Sequence, residues 1–356
     1  MHPHFVHTTG FARSHRRSGL FAIRELLLML IIVAGMMWLV CRVLEIVTDV
    51  PNAAATKRGL GVHRIWVDHA EQYMWVYRPR DCIVQLNLAT GNVEISLPAW
   101  GDEIAHVAHC NDGPTALVCG HDGTVTLHRD GEEQKVAKAS SNAGLPLAPL
   151  LSEDGSVALF VTALGHVRGW SRNGTDVREF NYATDSPSKA LHAGLNSTGR
   201  RLFIARDDGV VSFYASETGV QDQTDLHVGV GCCACAWSED EQLFVAVRRD
   251  GFFQVHLTET GRVHWEGHIG SRCDFCARNR LKVSPDGRLI AVSTNLNTVA
   301  VWDLMAGKTV GQLCGHNGLV CTMQFSRDSR RLFTGSYDNT IREWSLESYA
   351  QMRIIN

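Results

Sequence analysis

The sequence predicts an all-β fold, a seven-bladed β-propeller, preceded by a single N-terminal transmembrane helix. Three observations predict it: a turn glycine that recurs at near-constant intervals beyond residue 60, short β-branched and aromatic runs between those turns, and one uninterrupted apolar stretch before residue 48. With 45% hydrophobic and 20% charged residues in a chain of 356, there is enough apolar material for a sizeable core. The net charge of -3 offers no bulk electrostatic reason to expect nucleic acid as a partner.

From the N-terminus, residues 1–20 read as a basic tail and residues 21–47 as the transmembrane helix. At its heart, residues 26–41, "LLLMLIIVAGMMWLVC", are 16 consecutive uncharged residues, and the apolar character continues to Val47. Sixteen is slightly short of the roughly 20 that cross the hydrocarbon layer, but Arg24, Glu25 and Arg42 lie where side chains snorkel to the interface. A cleaved signal peptide needs small residues soon after the apolar run, and "NAAAT" at 52–56 comes too late. Leu39 and Val40 before Cys41 argue against a lipoprotein, and Arg24 and Glu25 interrupt the apolar region that a twin-arginine signal at Arg16 and Arg17 requires.

Orientation follows from basic residues near the helix. Arg13, Arg16, Arg17 and Arg24 precede it, against Arg42, Lys57 and Arg58 after it, so the expectation is a single-pass membrane protein with its propeller on the non-cytoplasmic side. The 11 cysteines pull the other way: an odd number gives no complete disulfide framework and suits a reducing compartment better.

After a linker at 48–60, residues 61–356 repeat. A turn glycine occurs at Gly91, Gly131, Gly174, Gly219, Gly261 and Gly307, at intervals of 40, 43, 45, 42 and 46. A second register, Gly123, Gly209, Gly251 and Asn339, is spaced by 86, 42 and 88. Together they make seven units. Within a unit, runs such as "RRLFTGS" and "NTIREWS" are separated by Asp-Gly or Asn turns and show no helical period, so each unit is four short antiparallel strands. A sheet apolar on both faces cannot stand alone, and radial stacking of seven such sheets protects every inner edge.

Residues 283–316, "VSPDGRLIAVSTNLNTVAVWDLMAGKTVGQLCGH", with the stretch 313–345 that follows, resemble two WD40 repeats. The likeness rests on the Ser-Pro-Asp-Gly turn, the Trp302-Asp303 pair and the Gly315-His316 pair, and decays upstream to about residue 62. The tryptophan position holds Trp344, Trp302 and Trp170, and elsewhere His256, Tyr214, His128 and Leu86. The resemblance implies a buried structural tetrad of His316, Ser336, Asp338 and Trp344. A buried Trp N–H and a hydroxyl need partners, and a His held by an Asp links loop to strand. The same residue types could form a hydrolase triad, but "FTGSYDN" is a strand entering a turn, with no nucleophile elbow or oxyanion hole.

The resemblance also implies that the residue before the tetrad Asp faces outward at the mouth of the channel. That position holds His121, Asp207, Arg249 and Tyr337, and with the neighbouring Arg248 these are the candidate partner-binding residues. Arg248 and Arg249 are suited to holding a carboxylate or phosphate.

Other chemistry is thinner. Cys273 and Cys276 form Cys-x-x-Cys in an inserted loop, followed by Ala277 and not by the His of a haem site. A local disulfide, a metal and free thiols are all open there, with free thiols favoured. Cys232, Cys233 and Cys235 in "CCACAW" read as core. His106, His109, Cys119, His121 and His128 crowd the second unit, but alternation along separate strands disperses them. Asn173 and Asn196 head Asn-x-Ser/Thr triplets.

The resulting expectation is a membrane-anchored, non-catalytic scaffold that binds a protein or peptide through its loop face, with no cofactor and no metal. The alternative is a propeller enzyme or small-molecule binder that uses the central channel. "LHAGL", "CCACAW" and "RLKVS", three of the innermost strands, are poor in the carboxylates such chemistry requires.

Overall fold

The computed structural model describes residues 61–355 apart from 69, 79–81, 99–103, 111–115, 121–123, 130, 131, 139–145, 174, 175, 271 and 274–279. The basic tail, the expected transmembrane helix at 21–47 and the linker therefore lie outside the described residues. Among the described residues no helix is long and apolar enough to cross a membrane.

The described chain forms seven four-stranded antiparallel sheets, each a blade built from four consecutive strands. The first strands are Arg64–Val67, Ile104–His109, Pro146–Leu151, Ala190–Leu195, Cys232–Trp237, Leu281–Val283 and Val320–Phe325. From blade 2 through blade 7 and on to blade 1 they lie one against the next, so they are the innermost strands of a ring.

The core is not one mass. It consists of seven apolar clusters, each shared by two neighbouring blades: 1 with 2, 2 with 3, and so on to 7 with 1. Second strands show why. In Arg331–Ser336, Leu332 packs toward blade 6 and Phe333 toward blade 1, and both are fully buried. Side chains two apart face the same way, and here both faces meet another blade. The strand therefore reads as a continuous apolar run, not as an alternation of polar and apolar.

The turn between first and second strands repeats its hydrogen bonds. Ser152, Ser238, Ser284 and Ser326 donate to Asp154, Asp240, Asp286 and Asp328 at 2.5–2.6 Å and accept the N–H of the following strand. The next turn residue has positive φ in six blades: Glu71, Gly155, Gly199, Glu241, Gly287 and Ser329. Glycine adopts this backbone without strain, so the three other residues need a reason. Each reaches back to the preceding blade. Glu241 Oε1 accepts from Asn196 Nδ2 at 2.8 Å, and Ser329 Oγ from the N–H of Asp286 at 3.1 Å. Glu71 accepts from the N–H of Arg327 at 2.5 Å and pairs with the Arg331 guanidinium.

The Glu71 contact belongs to the closure of the ring, where among the described residues no strand is shared between blade 7 and blade 1. Closure relies on side chains and single backbone bonds. The N–H groups of Ile65 and Val67 donate to Thr322 Oγ1 (3.3 Å) and Gln324 Oε1 (3.2 Å). Val62 N–H donates to the Ser336 carbonyl at 2.9 Å, and Arg78 Nε to Asn339 Oδ1 at 3.1 Å. Val62, Ile65, Met74 and Val76 pack on Phe333, Ile341 and Ile355.

Glu71→Ala is expected to lower stability more than Glu71→Gly. Both lose the contacts to blade 7, but alanine keeps a side chain at φ 51°, a left-handed position that costs an L-residue about 1 kcal/mol. Denaturant midpoints of the two variants check this, and the usual order, with glycine the worse, would contradict the assignment.

Candidate functional site

The third strand of blade 7, Ile341–Ser345, carries Trp344 opposite Leu332, and two residues further along the second strand lies Thr334. Trp344 Nε1 donates to Thr334 Oγ1 at 2.8 Å, and Thr334 Oγ1 meets His316 Nε2 at 2.7 Å. His316 Nδ1 meets Asp338 Oδ2 at 2.9 Å. One assignment satisfies the chain: indole N–H to threonine oxygen, threonine O–H to Nε2, and Nδ1–H to carboxylate, which makes His316 the Nδ1-protonated tautomer. Asp338 also accepts from Thr340 Oγ1 (2.7 Å) and from the N–H groups of Thr340 and Asn317 (2.9 Å each). Burial alone would raise its pKa, but the hydrogen bonds from His316 and Thr340 hold the carboxyl well below the usual carboxylate range.

This corrects one expected member of the tetrad. The hydroxyl between His316 and Trp344 belongs to Thr334, not Ser336. Ser336 donates instead to the Gly318 carbonyl at 2.9 Å and accepts from the N–H of Asp338 at 3.1 Å. Ser336 and Thr334 are two apart on one strand and point the same way, so alternation does not separate them. Only the position of Trp344 across the sheet does.

The register places Val76, Ile204, Ala246 and Val292 where blade 7 has Thr334, so these four blades lack the hydroxyl. Trp302 occupies the Trp344 position in blade 6, and its buried Nε1 has no acceptor among the described residues. Blade 4 solves the same problem differently. Arg206, at the position of Ser336, is buried and donates to Ser212 Oγ (2.7 Å) and Tyr214 Oη (2.8 Å).

The expected rim residues divide. His121 lies outside the described residues. Asp207, Arg249 and Tyr337 are exposed in the turns between second and third strands. Tyr337, 40% exposed, stands edge-on to His63 with ring centroids 5.1 Å apart. Burial and the neighbouring Arg64 lower the pKa of His63 to about 4, so this support is neutral at ordinary pH. Asp207 accepts the N–H of Lys189 at 3.1 Å. Arg248 lies partly exposed over the Phe252 ring and is paired with Asp250 at 2.5 Å in its own turn.

Sequence reasoning missed three apolar residues in loops at the same end of the ring: Leu164 (50% exposed), Val230 (75%) and Leu296 (65%). A signal was available. Leu164 and Leu296 occupy the register position of Asp338, where a turn ordinarily carries a polar residue.

The remaining motifs are quiet. Cys276 lies outside the described residues, and Cys273 Sγ donates to the Ser293 carbonyl at 3.5 Å. Cys232, Cys233 and Cys235 are buried. Side chains of His106 and His109 lie outside the described set, and His128 Nε2 meets Thr126 Oγ1 at 3.1 Å. Among the described residues no group of three or more His, Cys, Asp or Glu is arranged to hold a metal. Asn196 is buried and bonded to Thr198 and Glu241, which removes it as an accessible glycosylation acceptor.

With this geometry in view, residues 307–345 match the family described as WD domain, G-beta repeat. The chain is a seven-bladed propeller that carries a WD40 repeat. The matched segment contains the whole hydrogen-bonded chain from His316 to Trp344. The protein is similar to Periodic tryptophan protein 2 of Arabidopsis thaliana, 30% identical over 92 residues, which are 26% of this chain and 10% of that protein. It is also similar to Protein groucho of Drosophila melanogaster, 36% identical over 73 residues, or 20% of this chain and 10% of that one. The matched segments thus span about a tenth of each of these relatives.

Thr334→Val is expected to destabilise the propeller by about 1–3 kcal/mol, because two buried ring nitrogens lose their partner at nearly constant volume. Ser336→Ala is expected to cost less, since it strips partners from one carbonyl and one turn N–H. Equilibrium unfolding of both variants decides, and the reverse order would return Ser336 to the place Thr334 holds.

Proposed function

We propose that the propeller is a non-catalytic protein-interaction platform whose partner docks on the face carrying Asp207, Arg249 and Tyr337. The observation that carries this reading is the apolar character of the turns around those residues. Leu164 and Leu296 are exposed at the turn position that holds Asp208, Asp250 and Asp338 in blades 4, 5 and 7, Val230 is exposed in the loop that enters blade 5, and Tyr337 adds a ring steadied by His63. Exposed apolar side chains interleaved with Arg and Asp suit a protein surface of mixed character: aromatic and Arg anchors supply affinity, and charges set orientation. The tetrad fits a scaffold role. Its His contacts a buried threonine already engaged by Trp344, and Ser336 lies on other partners. The rigid ring holds the loops in register, which is what a docking platform requires.

We further propose that residues 21–47 anchor this platform in a membrane with the propeller on the non-cytoplasmic side. The support is the apolar run at 26–41 and the basic residues preceding it.

The double variant Arg249→Ala, Tyr337→Ala is expected to weaken capture of a partner by about 2 kcal/mol or more while leaving the melting temperature close to wild type. Equal recovery by wild type and variant in an affinity-capture assay, with both folded, would exclude this rim. In intact membranes, a tag at the C-terminus is expected to resist a protease confined to the cytoplasmic side. Its digestion there would reverse the proposed orientation.

A further inference from the structure

The seven first strands enclose a central channel of about 350 Å3. Strand register fixes which side chains share a level. Trp66, Ala108, Leu150, Gly194, Ala236, Lys282 and Gln324 each pair with the same position of their second strands. One level away, Arg64 lies beside Thr322 and His192. Among the described residues the channel wall is therefore mostly small, apolar or uncharged at these levels, and the cations that line it are Lys282 in blade 6 and Arg64 in blade 1, which flank blade 7; a third cation, the buried Arg280 of blade 6, stands at the level of Arg64.

Arg64 and Lys282 both line the channel, and among the described residues neither makes a hydrogen bond or an ion pair. Each registers the cost. Burial pushes the Arg64 guanidinium down to about 10. Burial, then the charge of Arg64, lowers Lys282, with Glu153 opposing. Both side chains are half-buried, and two like charges brought into one channel repel unless an opposite charge joins them. Among the described residues two carboxylates line the channel, Glu153 and Glu239, and neither is bonded to Arg64 or Lys282, although the charge of Glu153 acts on Lys282. Glu153 and Glu239 follow the C-terminal ends of their first strands, whereas Arg64 begins its own, so they border the opposite mouth.

We propose that the channel is a binding site for a small multivalent anion, an organic phosphate or a polycarboxylate with at least two negative charges, held between Arg64 and Lys282. The fork of a guanidinium takes two oxygens of one such group, and the ammonium of lysine takes another as a compact point charge. The indole of Trp66 and the side chain of Leu150 provide apolar wall for the carbon frame. The volume is that of a small-metabolite pocket. Entry is from the mouth on the Arg64 side, the end of the ring that also bears Tyr337 and Arg249.

The test is calorimetric titration of the full chain with inorganic pyrophosphate and, separately, with citrate at constant ionic strength, with melting temperature recorded alongside. Saturable one-to-one binding of at least one of them, raising the melting temperature as a ligand of the native state must, is the expected result. The tighter of the two identifies phosphate or carboxylate as the preferred group. In Arg64→Gln and in Lys282→Gln the dissociation constant is expected to rise at least tenfold. Without anion, each variant is expected to melt at or above the wild-type temperature, because one of two like charges has gone. Absence of saturable binding, equal binding in both variants, or a lower melting temperature of both without anion would overturn the site.

Discussion

Each blade is apolar on both faces, and a face can be covered only by another blade. Everything else in the molecule follows from that mutual dependence. Leu332 and Phe333 are adjacent in sequence and buried in different clusters, one shared with blade 6 and one with blade 1. No blade has a core of its own, so an end left unpaired would expose a sheet of apolar side chains to water. Closing the ring leaves no such end. It also explains why polar residues in the first turns reach to a preceding blade even at the cost of left-handed backbone. Glu71, Glu241 and Ser329 each tie one blade to the one before it.

Because inter-blade packing carries the fold, the polar tetrad can erode. Blade 7 keeps the full chain from Trp344 through Thr334 and His316 to Asp338. Blade 4 replaces it with Arg206 bonded to Tyr214, and blade 6 keeps the indole of Trp302 without an acceptor among the described residues. An unsatisfied indole N–H costs on the order of 1–3 kcal/mol, which is tolerable where two apolar clusters flank the blade. Erosion of the tetrad also frees turn positions. Where Asp338 locks its turn in blade 7, Leu164 and Leu296 stand exposed in blades 3 and 6 and become surface that a partner can use.

The repeat count, the four-strand unit and the identity of the turns were legible in the sequence because they are local. Gly91, Gly219, Gly261 and Gly307 all adopt positive φ, a requirement a single residue type announces. The seventh turn escaped that reading, since Tyr349 holds the left-handed position and lays its ring where Gly311 has no side chain. The tetrad was legible except for its hydroxyl. The exposed leucines were visible as residues but not as surface, and the pairing of Arg248 with Asp250 was hidden by the assumption that neighbouring arginines act together.

Sequence alone determined a seven-unit all-β propeller and the apolar run ahead of it, because period, strand alternation and turn chemistry are properties of contiguous residues. Tertiary structure decided that Thr334 and not Ser336 serves His316, that Glu71 closes the ring on Arg331, and that Arg64 and Lys282 share one channel. Glu71 and Arg331 are separated by 260 positions, and Arg64 and Lys282 by a comparable distance. Such meetings are set by the ring, which brings the first blade against the last and turns the first strands of all blades toward one channel, and no local pattern along the chain records them.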